Sequence, residues 1–403
     1  MAQHILFVTK VVPGSSMTGQ GHRITAQYRA LMALGALDSV LIGNQPLPPS
    51  AWPRDYGSLV AGLPEPDYPR NLGVFWKRGG NRLWPAIFAA TPFLSLRTIY
   101  RPTVATAESF AALARSYDLI FISYLQHAWA LGWRDAQRTV IDLDDVPSQR
   151  FTPPGGPASA PQRLLRRWRW WRARRCEHQA LGDYRLTLVC SEQDARYLHR
   201  YPRVAVLPNC VLDDPAMGAA DDPTPAAGRM LFVGALAETG FNIDGLTWFV
   251  QQVLPLVRRE VSNAHVQVVG QTSPNLSVPW RHEPGVAFVG TVDRVAPYIQ
   301  GCQFQVCPLL GGFGTRVKTI ESLLFARPVV ATTIGAYGLA MDEARGILRR
   351  DDPPSFARAC VDLLRDPERC RTLGLAGRAE ARRLYSLEAF TRRLQELVRP
   401  ILG

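Results

Sequence analysis

Pro308-Leu309-Leu310-Gly311-Gly312-Phe313-Gly314-Thr315-Arg316-Val317-Lys318-Thr319-Ile320-Glu321-Ser322-Leu323-Leu324-Phe325-Ala326-Arg327-Pro328-Val329-Val330-Ala331-Thr332 is the stretch that decides the fold. An apolar run ends at Pro308, a glycine-rich loop comes next, Thr315 can cap a helix, and Pro328 opens a second apolar run. This reads as strand, loop, helix, strand. Arg316 and Lys318 then fall in the helix's first turn, where cations oppose the macrodipole at about 0.3–1 kcal/mol each. An anion at that N-terminus reverses the sign, and a diphosphate matches two cations beside glycine N–H groups. Glu321 lies within about 40° of Val317 and about 60° of Leu324 around the helix axis, on or beside the apolar stripe. A carboxylate there is costly unless it is paired or hydrogen-bonded. It either serves a ligand or forms an i,i+3 pair with Lys318.

Similar apolar, β-branched runs recur on both sides of this unit. They are 5–9, 40–43, 119–123, 139–143, 186–190 and 204–208, then 230–234, 266–270, 286–290, 304–308 and 328–332. Continuous rather than alternating hydrophobicity suits strands buried on both faces of a parallel sheet. Amphipathic stretches such as 245–257 and 315–326 separate them, so the chain is α/β with βαβ units in both halves. Residues 213–228, rich in Asp, Pro, Ala and Gly, read as a linker. The expected organisation is therefore a first Rossmann-like domain over 1–212, the linker 213–228, a second over 229–385, and a final helix over 386–403. That helix, capped by Ser386 with Glu388 behind it, should return to the first domain. Residues 45–69 read as a breaker-rich excursion. Two doubly wound sheets bind ligands at their strands' C-terminal ends, which makes an interdomain cleft the expected active site.

The 403 residues are 47% hydrophobic and 20% charged, a globular balance that excludes a disordered or fibrous protein. No run reaches the roughly 18 apolar residues of a membrane span; the nearest, Trp84 to Leu96, contains Pro85 and Pro92. Met1 to Val8 shows no secretory pattern. The seven cysteines form no CxxC pair, so a disulfide framework or zinc site is not expected and a cytoplasmic setting fits. The net charge is +12, carried by 43 Arg and three Lys, Lys10, Lys77 and Lys318. An excess of this sign suits an anionic partner.

The 308–332 stretch, with Leu231-Phe232-Val233-Gly234 and Asn242-Ile243-Asp244-Gly245-Leu246 before it, resembles the nucleotide-sugar domain of retaining family-4 glycosyltransferases (glycosyl transferases group 1) with the GT-B fold. So do Leu207-Pro208-Asn209, Val268-Val269-Gly270, Val289-Gly290 and Pro328-Val329-Val330-Ala331. The resemblance is close over residues 186–385 and looser in the first half. It implies a donor site in which Glu321 binds ribose hydroxyls and Gly234, Gly314 and Thr315 line the donor. Phe313 replaces the family's first glutamate, and Ala235-Leu236-Ala237-Glu238 stands where basic residues usually come after Gly234. Gly314-Thr315-Arg316-Val317-Lys318 matches the GTRxK loop of some members, so Arg316 and Lys318 are expected to supply the phosphate charge.

In the first half, Gly19 and Gly21 come after strand one. A GxG there is an ordinary βα turn or, as the resemblance implies, a donor loop; His22 at the helix start is a donor-loop residue or only a cap or surface group. His127 matches the family's sugar-contacting histidine, against the alternative of a satisfied loop histidine. Asp142, Asp144 and Asp145 end a strand, either to orient an acceptor hydroxyl or to cap the next segment of chain. Residues 163–175 hold seven Arg and three Trp. On a helix, Leu164, Trp168 and Trp171 form a stripe among guanidinium groups, for an anionic membrane surface or for packing on the sheet. Single-stranded nucleic acid would also suit this pattern, although no nucleic-acid partner is expected. The reading is a retaining, metal-independent glycosyltransferase without a cofactor. It would move sugar from a nucleoside-diphosphate donor to a glycan or glycolipid acceptor, in the cytoplasm or at the membrane's inner face. The alternative is a non-catalytic nucleotide-sugar-binding protein that kept the fold.

Overall fold

Apolar runs without alternation can be buried only if both sheet faces are covered, and the inner strands obey this, whereas the runs at 204–206 and 286–289 stay half-buried or exposed. The computed structural model describes residues 3–14, 19–43, 58–64, 102–146, 148–149, 160–217, 227–237, 240–273, 276–312 and 314–403. They divide into two units, Met1–Leu207 with Phe390–Gly403, and Pro208–Ala389.

In the first unit the order is β1 (His4–Thr9), α1 (Gly19–Met32), β2 (Ala36–Gly43), β3 (Ser58–Pro64), α2 (Val104–Ala114), β4 (Leu119–Ser123), α3 (Leu125–Ala130), β5 (Asp135–Asp144), α4 (Ala160–Leu181), β6 (Tyr184–Val189), α5 (Glu192–Tyr197) and β7 (Val204–Val206). The strands form one parallel sheet in the order β3-β2-β1-β4-β5-β6-β7. The direction of winding reverses between β1 and β4, so the loops after these strands flank the crevice where doubly wound sheets bind ligands. Part of the expected excursion over 45–69 is a strand: 58–64 is the sheet edge, where Pro64 is tolerated because edge N–H groups need no partner.

The second unit continues with β8 (Arg229–Val233), α6 (Phe241–Trp248), a π-helical turn (Phe249–Val253), α7 (Leu254–Glu260), β9 (His265–Val269), β10 (Val286–Gly290), α8 (Ala296–Gly301), β11 (Phe304–Cys307), α9 (Val317–Leu324), β12 (Val329–Ala331), β13 (Ile347–Arg349), α10 (Pro353–Arg365) and α11 (Pro367–Tyr385). The sheet order is β10-β9-β8-β11-β12-β13, all parallel, with its reversal between β8 and β11. The π turn stands where Pro255 lacks the N–H that regular helix would use. Val211 and Met217, one just before the expected linker and one within it, are buried in this unit's core; residues 218–226 lie outside the described part.

The final helix, α12 (Leu387–Leu402), starts as its sequence suggests, with the Ser386 hydroxyl accepting from Ala389 N–H at 3.1 Å. Its residues from Phe390 belong to the first unit, where Arg393 donates to the Val206 carbonyl and Gln395 to that of Ala30.

Candidate functional site

The winding reversal of the second unit sets the segments after β8 and β11 side by side. Gly245 brings α6 onto the end of β11: a Cβ there would stand 2.5 Å from the Pro308 carbonyl oxygen. The β11 loop turns at Gly312 (φ +115°) and Gly314 (φ +75°), conformations that favour glycine. The helix then begins later than expected. Thr315 does not cap it; Arg316 occupies the N-cap position of α9 without a side-chain bond to the helix. The Thr315 hydroxyl lies instead against Gly338, too close for a Cβ there (2.7 Å).

Lys318, in the first turn, points its ammonium across the reversal to Asn242 Oδ1 at 2.8 Å and lies 4.9 Å from the centre of the Phe232 ring. The i,i+3 pair with Glu321 is not made. Burial, helped by the neighbouring Arg316 charge, holds the Lys318 pKa below its usual value. Arg316 lies against Gly312 and donates to the Ile334 carbonyl at 3.4 Å.

The Glu321 carboxylate, one turn further along α9, has no hydrogen bond or ion pair with any described residue. Burial, and then the charge of Asp214, push its pKa up to about 7. Both Lys318 and Glu321 keep some solvent contact although burial dominates their titration. Two cations and a carboxylate that pairs with no described side chain thus stand together at a switch point, chemistry that suits a polyanion and hydroxyl groups. Gly234, at the end of β8, lies under Asn242, and Gly314 and Thr315 belong to the same loop. Phe313 lies outside the described residues.

The other expected site residues lie in the first unit. Gly19 and Gly21 occupy the first turn of α1, and residues 15–18 of that loop lie outside the described part. His22 is buried in α1, and His127 is buried in α3 with its ring edge-on to Tyr124 at 5.7 Å. Asp142 is not available to an acceptor. Arg23 grips it with two bonds, Nε to Oδ2 at 2.7 Å and Nη2 to Oδ1 at 2.6 Å, and Gln27 donates to it at 2.5 Å. Burial alone would lower the Arg23 pKa, but the charge and hydrogen bonds of Asp142, then Asp144, raise it above the arginine norm.

Tyr124 donates to Asp144 at 3.3 Å, and both residues hold left-handed φ values (69° and 57°) at neighbouring strand ends. Such conformations cost of order 1–3 kcal/mol and collect at functional sites. Asp144, Asp145 and Cys190 bring atoms able to ligate a metal within 4.8 Å of one another, but Arg23 Nε, 3.6 Å from Asp144, already supplies positive charge there. Sequence reasoning gave no role to Arg23, Tyr124 or Asn242: Asn242 stands in a stretch that carries the family resemblance, but its pairing with Lys318, like that of Arg23 with Asp142, joins distant elements and leaves no local signal.

Helix α4 resolves the expected Arg/Trp stripe. Trp170 is tied to the protein, its Nε1–H donating to Tyr197 Oη at 2.8 Å under Arg174. Leu164 and Trp171 stay 71% and 51% exposed, so these two residues of the stripe do not pack on the sheet, whereas Trp168 is half-buried. Arg163, Arg167 and Arg175 are placed along the same helix, with Arg175 over the Trp171 ring. No described helix is long and apolar enough to cross a membrane.

Residues 227–366, about a third of the chain, match the family model described as glycosyl transferases group 1. A human (Homo sapiens) alpha-1,3/1,6-mannosyltransferase, ALG2, is 34% identical over 87 residues, 21% of each chain. The aligned stretches span only 21–36% of the curated relatives the chain matches. Among solved structures, sucrose-phosphate synthase from Thermosynechococcus elongatus is 18% identical with a TM-score of 0.64, covering 99% of both chains. Anabaena HepE, in complex with UDP and glucose, is 13% identical with a TM-score of 0.58, covering 98% of this chain and 99% of its own. The fold is that of GT-B glycosyltransferases: α/β, with two doubly wound parallel sheets.

Proposed function

We propose that this protein is a retaining glycosyltransferase of family 4 that moves a sugar from a nucleoside-diphosphate donor to a hydroxyl of a glycan or glycolipid. The observation that carries this reading is the unpartnered Glu321 carboxylate one turn from the Lys318 ammonium, at the second sheet's switch point. Glu321 accepts hydrogen bonds from the donor's ribose hydroxyls, with Gly234, Gly314 and Thr315 around the donor. Arg316 and Lys318 face the diphosphate. As the bond from anomeric carbon to phosphate oxygen breaks, negative charge grows on that oxygen, and preorganised cations stabilise it. The acceptor hydroxyl attacks from the same face, and its proton passes to the departing phosphate oxygen, which gives retention. His127 holds the transferring sugar, and Gly19 and Gly21 let backbone approach the donor.

No step requires a metal, because guanidinium and ammonium supply the positive charge. The HepE structure, which holds UDP and glucose, supports a nucleotide-sugar donor by fold likeness. The exposed Leu164 and Trp171 of α4, among its arginines, support peripheral binding to an anionic inner membrane face, where such acceptors reside.

The test is release of nucleoside diphosphate from a panel of nucleotide sugars, with and without EDTA. Release that survives EDTA is the expected result. Binding without release from any donor, with acceptors present, would leave the non-catalytic reading. Activity abolished by EDTA and restored by magnesium or manganese would overturn the charge assignment.

A further inference from the structure

Lys318 and Asn242 are 76 positions apart, on the two helices that come after β11 and β8, yet they share a 2.8 Å hydrogen bond. Asn242 is fixed at both ends of its amide, because its Nδ2 donates to the Ala235 carbonyl at 2.9 Å. That second bond settles which way the amide faces. A flipped amide would set N–H against the ammonium and oxygen against a carbonyl, two repulsions in place of two attractions. Gly234 makes the arrangement possible, since a Cβ there would stand 3.0 Å from the Asn242 amide carbon. The ammonium is thus held between a neutral acceptor and the Phe232 ring. The charged or titratable groups facing it are Arg316 and Cys307, and no carboxylate among the described residues pairs with it.

A bare ammonium on a flexible stem would turn to the nearest carboxylate or to water. A carboxylate in Asn242's place would hold it but cancel its charge. A neutral amide aims it and leaves the charge available to a ligand. We infer that Asn242 is a positioning residue, which fixes Lys318 at the β8–β11 switch point with its charge intact for a diphosphate. The inference rests on the donor reading of that site and deepens it. Sequence alone offers no signal of this role, because Asn242 reads as part of a helix start.

The chain has only three lysines, so Lys318 can be followed directly. The apparent pKa of its amine is read from the pH dependence of its acetylation by acetic anhydride, by mass spectrometry, with exposed Lys10 as internal reference. The same proteins are titrated with UDP, ADP and GDP. In Asn242→Ala the ammonium loses its acceptor, so the Lys318 half-point moves down by about one pH unit and nucleoside-diphosphate affinity falls about tenfold, the range for one charge-assisted hydrogen bond. In Asn242→Asp the half-point moves up while affinity falls about tenfold or more. Opposite shifts in reactivity with the same direction in affinity cannot come from a merely structural role, which would lower the melting temperature without moving the lysine. An unchanged Lys318 half-point in both variants overturns the inference whatever binds. If the half-points move as expected but the wild type binds none of the three nucleotides, the positioning stands and the donor reading fails.

Discussion

Glu321 has the sharpest consequence among single residues, because no described residue compensates its charge. Its folded pKa, raised to about 7, exceeds the ordinary glutamate value, so the folded state holds the proton more tightly than the unfolded chain. Stability from this group is therefore full below about pH 4.5 and is lost as pH rises to about 7. Glu321→Gln should melt higher than wild type at pH 8, by on the order of 1–3 kcal/mol, and the difference should vanish by about pH 4.5. Thermal melts across that range check it, and a glutamine variant less stable at pH 8 would mean the carboxylate has a partner. With donor, Glu321→Ala should mainly raise KM, since ribose contacts are nearly equal in ground and transition states. Arg316→Ala and Lys318→Ala should lower kcat by about 10²–10³, on the scale of a lost oxyanion-hole donor, without loss of ligand-free stability.

Whole elements show how much the sequence disclosed. The central strands were legible because runs such as 5–8 and 119–122 are buried on both faces, and such a run has few other homes. The edge strands β3 and β13 were not: one contains proline and glycine, and the other has three residues. The start of α9 was misplaced because Thr315 has cap chemistry, but the turn at Gly314 leaves Arg316 as N-cap and sets Thr315 against Gly338. The glycine-rich loop, Arg316, Lys318 and Glu321 could be read from one contiguous segment. The Arg23–Asp142 and Lys318–Asn242 contacts could not, since they join elements 119 and 76 residues apart, and periodicity carries no information about pairing. The Arg/Trp pattern of helix α4 was legible, but not which of its apolar side chains would stay exposed. Its exposed face makes a prediction: binding to vesicles should rise with anionic lipid and fall with salt, and Leu164→Ser with Trp171→Ser should abolish it. Equal sedimentation of this variant would rule out the α4 face as the membrane contact.

At the level of the whole molecule, the chain leaves the first unit at Leu207 and rejoins it at Phe390, and one residue meets both points. Arg23 Nη1 donates to the Leu207 carbonyl at 3.0 Å, and its guanidinium lies 5.8 Å from the Phe390 ring centre. Arg23→Ala, which leaves Asp142 buried and uncompensated, should cost about 3–5 kcal/mol, whereas Arg23→Met with Asp142→Leu should cost much less. Denaturant unfolding of the two proteins checks this, and equal losses would mean the ion pair itself carries the stability. The central claim is that residues 311–321 seat a nucleoside-diphosphate sugar. Its most direct test is calorimetric titration of wild type, Glu321→Ala and the Arg316→Ala, Lys318→Ala double variant with the nucleoside diphosphate and its parent nucleoside. The expected result is that wild type binds the diphosphate well above the nucleoside, that the double variant loses this preference, and that Glu321→Ala weakens both ligands alike. Diphosphate binding unchanged by loss of both cations would contradict the claim and place the donor elsewhere.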